Sequence, residues 1–160
     1  MKLTIEPARP EDAARLTGIV LRSKRHWGYP DELIEQWRDD LTITPDYIRR
    51  AQVLVARNAE HLAGVSALVR TGTDWELEHL WVDPDHMGTG AGRALFERAV
   101  ATVRSAGGRG FKIVADPNAE PFYLHMGARR TGDVPAQPAG RRLPVLHYPD
   151  EESNEQEGTA

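Results

Sequence analysis

Between Trp75 and Arg104 the chain carries one arrangement that few folds accommodate: a strand, a glycine-rich turn and a helix in immediate succession. Trp75 to Val82 is expected to be a strand. After Pro84 the run Met87-Gly88-Thr89-Gly90-Ala91-Gly92-Arg93 leads into a helical repeat from about Gly92 to Arg104, whose apolar face is Leu95, Phe96, Ala99, Val100 and Val103. Gly107-Gly108 then stops it. Glycines let the backbone turn tightly and approach a ligand closely. Successive N–H groups at a helix N-terminus converge on one spot, where the helix dipole also favours an anion. A pyrophosphate fits such a turn, although a glycine-rich connection is often no more than a turn. A Walker loop requires Lys-Ser or Lys-Thr after its last glycine, and here Arg93-Ala94 follows. A dinucleotide fingerprint requires Gly-x-Gly-x-x-Gly at the start of a βαβ unit, whereas Gly88, Gly90 and Gly92 alternate and come late in the chain.

The flanking pattern extends this into a mixed α/β chain. Lys2 to Glu6 reads as a first strand. Pro10, Glu11 and Asp12 suit the start of a helix whose apolar positions, Ala13, Leu16 and Val20, carry it to about Arg22. Ser23 to Pro30 reads as a loop with two aromatics and a cluster of bases. Asp31 to Leu41 reads as a second helix, with Leu33, Trp37 and Leu41 on one face. Pro45 to Arg50 reads as a short helical turn. Strands follow at Gln52 to Arg57 and Leu62 to Arg70, around the turn Asn58-Ala59-Glu60-His61. Phe111 to Ala115 is a further short strand. Asn118 is placed as the cap of a helix carrying Phe122, Tyr123 and Met126 on one face, and Gly127 ends it. Arg129 to Asp133 and Leu143 to Tyr148 read as the last two strands, joined by a Pro/Gly-rich loop.

The bulk properties fit one domain over residues 1–149. The 160 residues, with 40% hydrophobic and 28% charged, suffice for a single sizeable core. Residues 150–160 are acidic and polar and read as a disordered tail. A formal net charge of −4 supplies no basic field for nucleic acid or anionic membrane. The chain has no Cys, which excludes disulfides, thiolate metal sites and a thiol nucleophile. Its six His residues do not pair at helical ligand spacing, so no metal is expected. Without an apolar leader or a membrane-length apolar run, the expected location is the cytoplasm.

The run Leu80-Trp81-Val82-Asp83-Pro84-Asp85-His86-Met87-Gly88-Thr89-Gly90-Ala91-Gly92-Arg93-Ala94-Leu95 resembles the coenzyme A motif of the GNAT superfamily of acetyltransferases, written Arg/Gln-x-x-Gly-x-Gly/Ala. Gly90 and Gly92 match it, and Met87 stands where Arg or Gln is usual. The later run Asn118-Ala119-Glu120-Pro121-Phe122-Tyr123-Leu124-His125-Met126-Gly127-Ala128 resembles the superfamily's Asn-x-x-x-Phe-Tyr-x-x-x-Gly-Phe segment, with Ala128 in place of the last aromatic. Gly140-Arg141-Arg142-Leu143-Pro144 resembles a Gly-Arg-x-Leu-Pro segment of one subgroup. The likeness spans about Lys2 to Tyr148. It implies a GNAT fold, a mixed central sheet of about seven strands flanked by about four helices. It implies acetyl-CoA as co-substrate, no metal, and a small-molecule or protein amine as acceptor. A homodimer is compatible with it.

Acetyl transfer to an amine near pH 7 needs a base, because the amine is mostly protonated, and an acid for the leaving thiolate. Glu76, Glu78, Leu80 and Val82 share one face of their strand. The resemblance lines the pantetheine arm with Leu80, Trp81 and Val82. It puts the base at Glu76, four residues before Leu80. Glu78 points the same way and is the alternative, and burial among Trp75, Leu77 and Trp81 would push either carboxyl towards a useful pKa. Salt-bridged strand carboxylates are the plainer reading of both. Tyr123 matches the family's general acid, or is simply a core aromatic. Met87, Gly88, Thr89, Gly90, Ala91, Gly92 and Arg93 hold the pyrophosphate in this reading. Asn118 caps its helix or also touches the cofactor. Acceptor specificity is expected from the loop Lys24 to Tyr29 and the loop near Pro135 to Arg142: His26, Trp27 and Tyr29 are candidates for an amine pocket, or Trp27 and Tyr29 pack on the second helix. A non-catalytic acyl-CoA sensor or interaction module remains the alternative, and would need neither Glu76 nor Tyr123.

Overall fold

The computed structural model describes residues 2–149, so segment 150–160 lies outside the described residues. The elements run β1 (Leu3–Pro7), α1 (Ala13–His26), α2 (Asp31–Gln36), α3 (Arg38–Leu41), α4 (Pro45–Arg50), β2 (Gln52–Asn58), β3 (His61–Thr71), β4 (Asp74–Val82), α5 (Ala91–Ser105), β5 (Phe111–Val114), α6 (Glu120–His125), β6 (Arg129–Ala136) and β7 (Arg141–Tyr148). The strands form one seven-stranded sheet in the order β1-β2-β3-β4-β5-β7-β6. The sheet is mixed: β1–β2, β2–β3, β5–β7 and β6–β7 are antiparallel, while β4 and β5 run parallel over Glu76↔Lys112 and Leu77↔Ile113.

The described residues divide into two compact units, 2–69 with 79–99, and 70–78 with 100–149. In the first unit, adjacent residues of β2 and β3 face opposite ways, as strand geometry requires. Val53, Val55, Val65 and Ala67 join Leu16, Ile19, Val20, Ile34, Trp37 and Tyr47 in one cluster, which packs α1–α4 on that face. Ala56 and Ala63 join Ala91 and Leu95 of α5 in another, with Leu80 and Val82 against it. Gly64 permits the close approach: a Cβ there would meet the Trp81 carbonyl oxygen at 2.9 Å and Leu95 Cδ1 at 3.1 Å. In the second unit Trp75, Leu77, Phe111, Ile113, Tyr123, Val145 and Leu146 are buried.

Four local expectations are corrected. The expected loop from Ser23 begins as helix, because α1 continues to His26. Ser23 and Lys24 are buried on its inner side, and the Lys24 ammonium lies over the rings of Trp37 (4.8 Å), Tyr29 (5.0 Å) and Trp81 (5.6 Å). A lysine that buries its stem and caps it with aromatic faces extends an apolar stripe that a polarity pattern ends. The expected single helix from Asp31 to Leu41 is two short ones, α2 and α3, interrupted at the buried Trp37. That break, with α4, brings the described helices to six rather than about four. Asn118 does not cap the helix after β5. The residue before α6 is Ala119, with no side-chain cap, and Asp116 instead accepts from the Asn118 backbone N–H at 2.8 Å and opens a 3-10 turn, Pro117–Ala119, that runs into α6. Lastly, the loop between the final strands is shorter than expected, because β6 and β7 pair as far as Ala136↔Arg141. Pro135 is tolerated because β6 is the edge strand.

Candidate active site

The glycine-rich turn of the first unit is built by Asp83. Its carboxylate accepts from the Asp85 N–H at 3.1 Å and from Arg22 Nη2 of α1 at 2.6 Å, which starts a 3-10 turn, Pro84–His86. Burial alone would raise the Asp83 pKa. The Arg22 hydrogen bond, the Asp85 amide and the charges of Arg22 and His86 outweigh it and hold the carboxyl below its ordinary value. Thr89 Oγ1 donates to the His86 carbonyl at 2.6 Å. Gly88 and Gly90 take φ of 81° and 89°, conformations that glycine adopts without strain. The first bond into α5 runs from the Ala94 N–H to the Gly90 carbonyl at 3.0 Å. The N–H groups of Ala91 and Gly92 precede that bond and lie at the positive end of a 15-residue helix. No atom lies within 4 Å of a Cβ built at Gly88 or Gly90, so the crook is open to a ligand. These features fit a pyrophosphate. Met87 is half-buried and contributes no charge, and Arg93 pairs with Glu97 at 3.7 Å.

On β4, Leu80 and Val82 pack on the α5 side and Trp81 on the α1 side. Trp81 Nε1 donates to His79 Nδ1 at 2.9 Å, and the His79 ring stands edge-on to Tyr47 at 5.6 Å. His79 therefore has a packing role. A cavity of about 360 Å³ lies beside α1, lined by Arg15, Gly18, Arg22, His61 and His86 among others.

In the second unit, Glu76 is half-buried and its Oε1 lies 3.6 Å from Lys112 Nζ, its parallel partner on β5. Glu78 is exposed, so the aromatic enclosure expected for both carboxyls does not form around it. Tyr123 is buried in α6, 5% exposed, with its ring edge-on to Phe122 at 5.3 Å. Burial first, and then the Asp116 carboxylate, push its phenol well above the usual tyrosine range. Asn118 is exposed, and its side-chain amide, like its backbone N–H, donates to Asp116 Oδ1, at 2.9 Å.

The aromatic trio expected to line an acceptor pocket is divided. His26 and Trp27 are exposed at the end of α1, with their rings 5.4 Å apart. Tyr29 is half-buried, edge-on to Trp37 at 5.0 Å. The sequence reading gave no role to Asp83, Lys112 or Asp116. For the two aspartates a signal was present: Asp83-Pro84 and Asp116-Pro117 each follow a strand. In each, the aspartate accepts from the amide two residues on and pairs with an arginine, Arg22 or Arg141. Among the described residues no cluster of three or more His, Asp or Glu could hold a metal ion, and no helix is long and apolar enough to cross a membrane.

The fold is shared with solved structures. A GCN5-related N-acetyltransferase from Rhodopseudomonas palustris superposes with a TM-score of 0.75 at 21% identity, covering 92% of this chain and 95% of that one. The PaiA N-acetyltransferase from Thermoplasma acidophilum, in complex with coenzyme A, gives 0.72 at 19% identity, covering 92% and 98%. The ribosomal-protein-S18-alanine N-acetyltransferase from Escherichia coli gives 0.69 at 15% identity, covering 92% and 94%. No curated protein sequence matches. The family model of the acetyltransferase (GNAT) domain matches residues 29–142, most of the chain and all of the glycine-rich turn and of α6, and the chain is therefore a member of the GNAT family of acetyltransferases.

Proposed function

We propose that this acetyltransferase moves an acetyl group from acetyl-CoA to a primary amine by direct attack. The observation that carries the donor is the open crook at Gly88 and Gly90, which leads into the N-terminus of α5. One relative of the same fold carries coenzyme A, which fits this assignment. In it the amides from Gly88 to Arg93 take the pyrophosphate, and Leu80, Trp81 and Val82 line the pantetheine arm. Met87 adds only apolar contact where the motif usually has a cation or an amide.

Direct attack is consistent with the side chains at hand. The chain has no Cys, the side chain best suited to carry an acyl group at neutral pH. Bound acetyl-CoA supplies the thioester. Glu76 takes a proton from the incoming ammonium, directly or through water, with Glu78 as the alternative base. Tyr123 is protonated throughout the working pH range and donates its hydroxyl hydrogen to the departing sulfur. A phenol held this high gives up its hydrogen only as charge builds on the sulfur, so it first stabilises the developing thiolate by a hydrogen bond, and the proton lost by the attacking nitrogen restores the hydroxyl. A net charge of −4 favours approach of a cationic amine over an anion. The fold is shared with a ribosomal-protein-S18-alanine N-acetyltransferase, a likeness that supports an amine acceptor here.

The test is thiol release from acetyl-CoA in the presence of a panel of spermidine, lysine, glycine ethyl ester and a peptide with a free N-terminal alanine. At least one amine is expected to raise the rate at least tenfold over acetyl-CoA alone. Tight acetyl-CoA binding with no amine-dependent release would instead indicate an acyl-CoA sensor.

A further inference from the structure

The Gly140-Arg141-Arg142-Leu143-Pro144 segment has no part in the reading above, yet its first arginine reaches the segment that carries Tyr123. Arg141 opens β7, and its backbone N–H donates to the Pro138 carbonyl at 3.0 Å. Its Nη2 lies 3.6 Å from Asp116 Oδ2, with side-chain exposures of 17% and 5%. Asp116 Oδ1 in turn holds the Asn118 backbone N–H at 2.8 Å and the Asn118 side-chain amide at 2.9 Å. The Ala119 N–H bonds to the Asp116 carbonyl at 2.9 Å, and the resulting 3-10 turn passes directly into α6. With six residues, α6 is too short to hold itself by its own hydrogen bonds, so the turn before it and the packing around it decide where it sits. Tyr123 is its fourth residue.

We propose that Asp116 and Arg141 are positioning residues for the proton-donor step: their nearly desolvated ion pair pins the turn that starts α6 and so sets the place of the Tyr123 hydroxyl. This rests on Tyr123 being the proton donor. Burial first, and the Asp116 carboxylate second, raise the Tyr123 phenol. Arg141 has two tasks here. It balances the charge of a largely buried carboxylate, and its guanidinium is a broad, planar and weakly hydrated cation that an ammonium does not reproduce. Lysine preserves the charge and loses the planar guanidinium.

The experiment compares Arg141→Lys, Tyr123→Phe and the double variant in the full chain, using the fastest amine of the panel and measuring kcat, the KM for acetyl-CoA and Tm. Arg141→Lys should lower kcat about tenfold with the acetyl-CoA KM nearly unchanged, and the double variant should be no slower than Tyr123→Phe alone. A merely structural arginine would slow both backgrounds equally, and that additivity overturns the proposal. So does an Arg141→Lys enzyme with normal kcat and only a lower Tm. Should Arg141→Lys not fold, Asp116→Asn with Arg141→Gln removes both charges together and supports the same comparison. If Tyr123→Phe alone keeps a normal kcat, the proton-donor reading fails and takes this proposal with it. A slow Tyr123→Phe with additive Arg141→Lys refutes the positioning role alone.

Discussion

Tyr123 combines a buried ring with a phenol that stays protonated, so the hydroxyl can be removed with little change in packing. Tyr123→Phe should therefore keep acetyl-CoA affinity while kcat falls on the order of 10²-fold, about 2.7 kcal/mol of transition-state stabilisation. Single-turnover kinetics with the fastest amine measure it, and a near-normal rate would remove Tyr123 from the mechanism. Of the two carboxylates, Glu76 is half-buried, with its Oε1 3.6 Å from Lys112 Nζ, and Glu78 is exposed. Glu76→Gln is expected to slow acetylation at pH 7 on the order of 10²-fold and Glu78→Gln only slightly. The Glu76→Gln deficit should shrink towards pH 10, as free amine appears without help from a base. A flat deficit across pH would argue against the base role. Asp83 gives a separate pH signature. Its folded pKa lies below the ordinary value, so the stability it confers is complete above about pH 4 and is lost as pH falls through the folded value. Arg22 is half-exposed, which limits the contribution to about 1 kcal/mol. Thermal melts of Asp83→Asn should run about 2–4 °C below the parent at pH 7 and converge with it in acid.

At the scale of elements, the two connections that matter obey one rule. A strand ends in Asp-Pro, the aspartate caps a 3-10 turn, and the turn delivers a helix. After β4 the delivery passes through glycines, because the chain must reach α5 with its amides uncovered. Gly90→Val places a β-branched residue at a φ of 89°, which only glycine takes easily, and fills the open crook with a side chain. Acetyl-CoA affinity should fall at least tenfold by calorimetry, with far-UV circular dichroism unchanged, and unaltered affinity in a folded variant would remove the turn from the site. These elements were legible to different degrees. The glycine turn and α5 follow from local composition and a 3.6-residue repeat. The cap was assigned to Asn118 rather than to Asp116 two residues before it, because both side chains cap well and only the fold shows which of them accepts from the turn.

For the whole molecule, binding the donor must stabilise the folded state by mass action. At a hundred times its Kd, acetyl-CoA should add about 2.7 kcal/mol and raise Tm by about 5–10 °C. Gly90→Val should lose most of that rise, and acetyl-CoA that leaves the parent Tm unmoved would contradict the donor assignment. The sequence by itself determined the succession of strands and helices along the chain, the turn that suits a pyrophosphate and the Phe-Tyr pair, because each is written in residues a few positions apart. Tertiary structure alone decided what depends on distant partners. Lys24 stays helical and buried because Tyr29, Trp37 and Trp81 fold over its ammonium. Trp37 interrupts a helix where its ring enters the core. Asp83 meets Arg22 across 61 residues of chain, and Asp116 meets Arg141 of another strand. A periodic pattern records which side of an element is apolar. It holds no information about which charged group will face it once the chain has closed, and those meetings set the caps and the place of the Tyr123 hydroxyl.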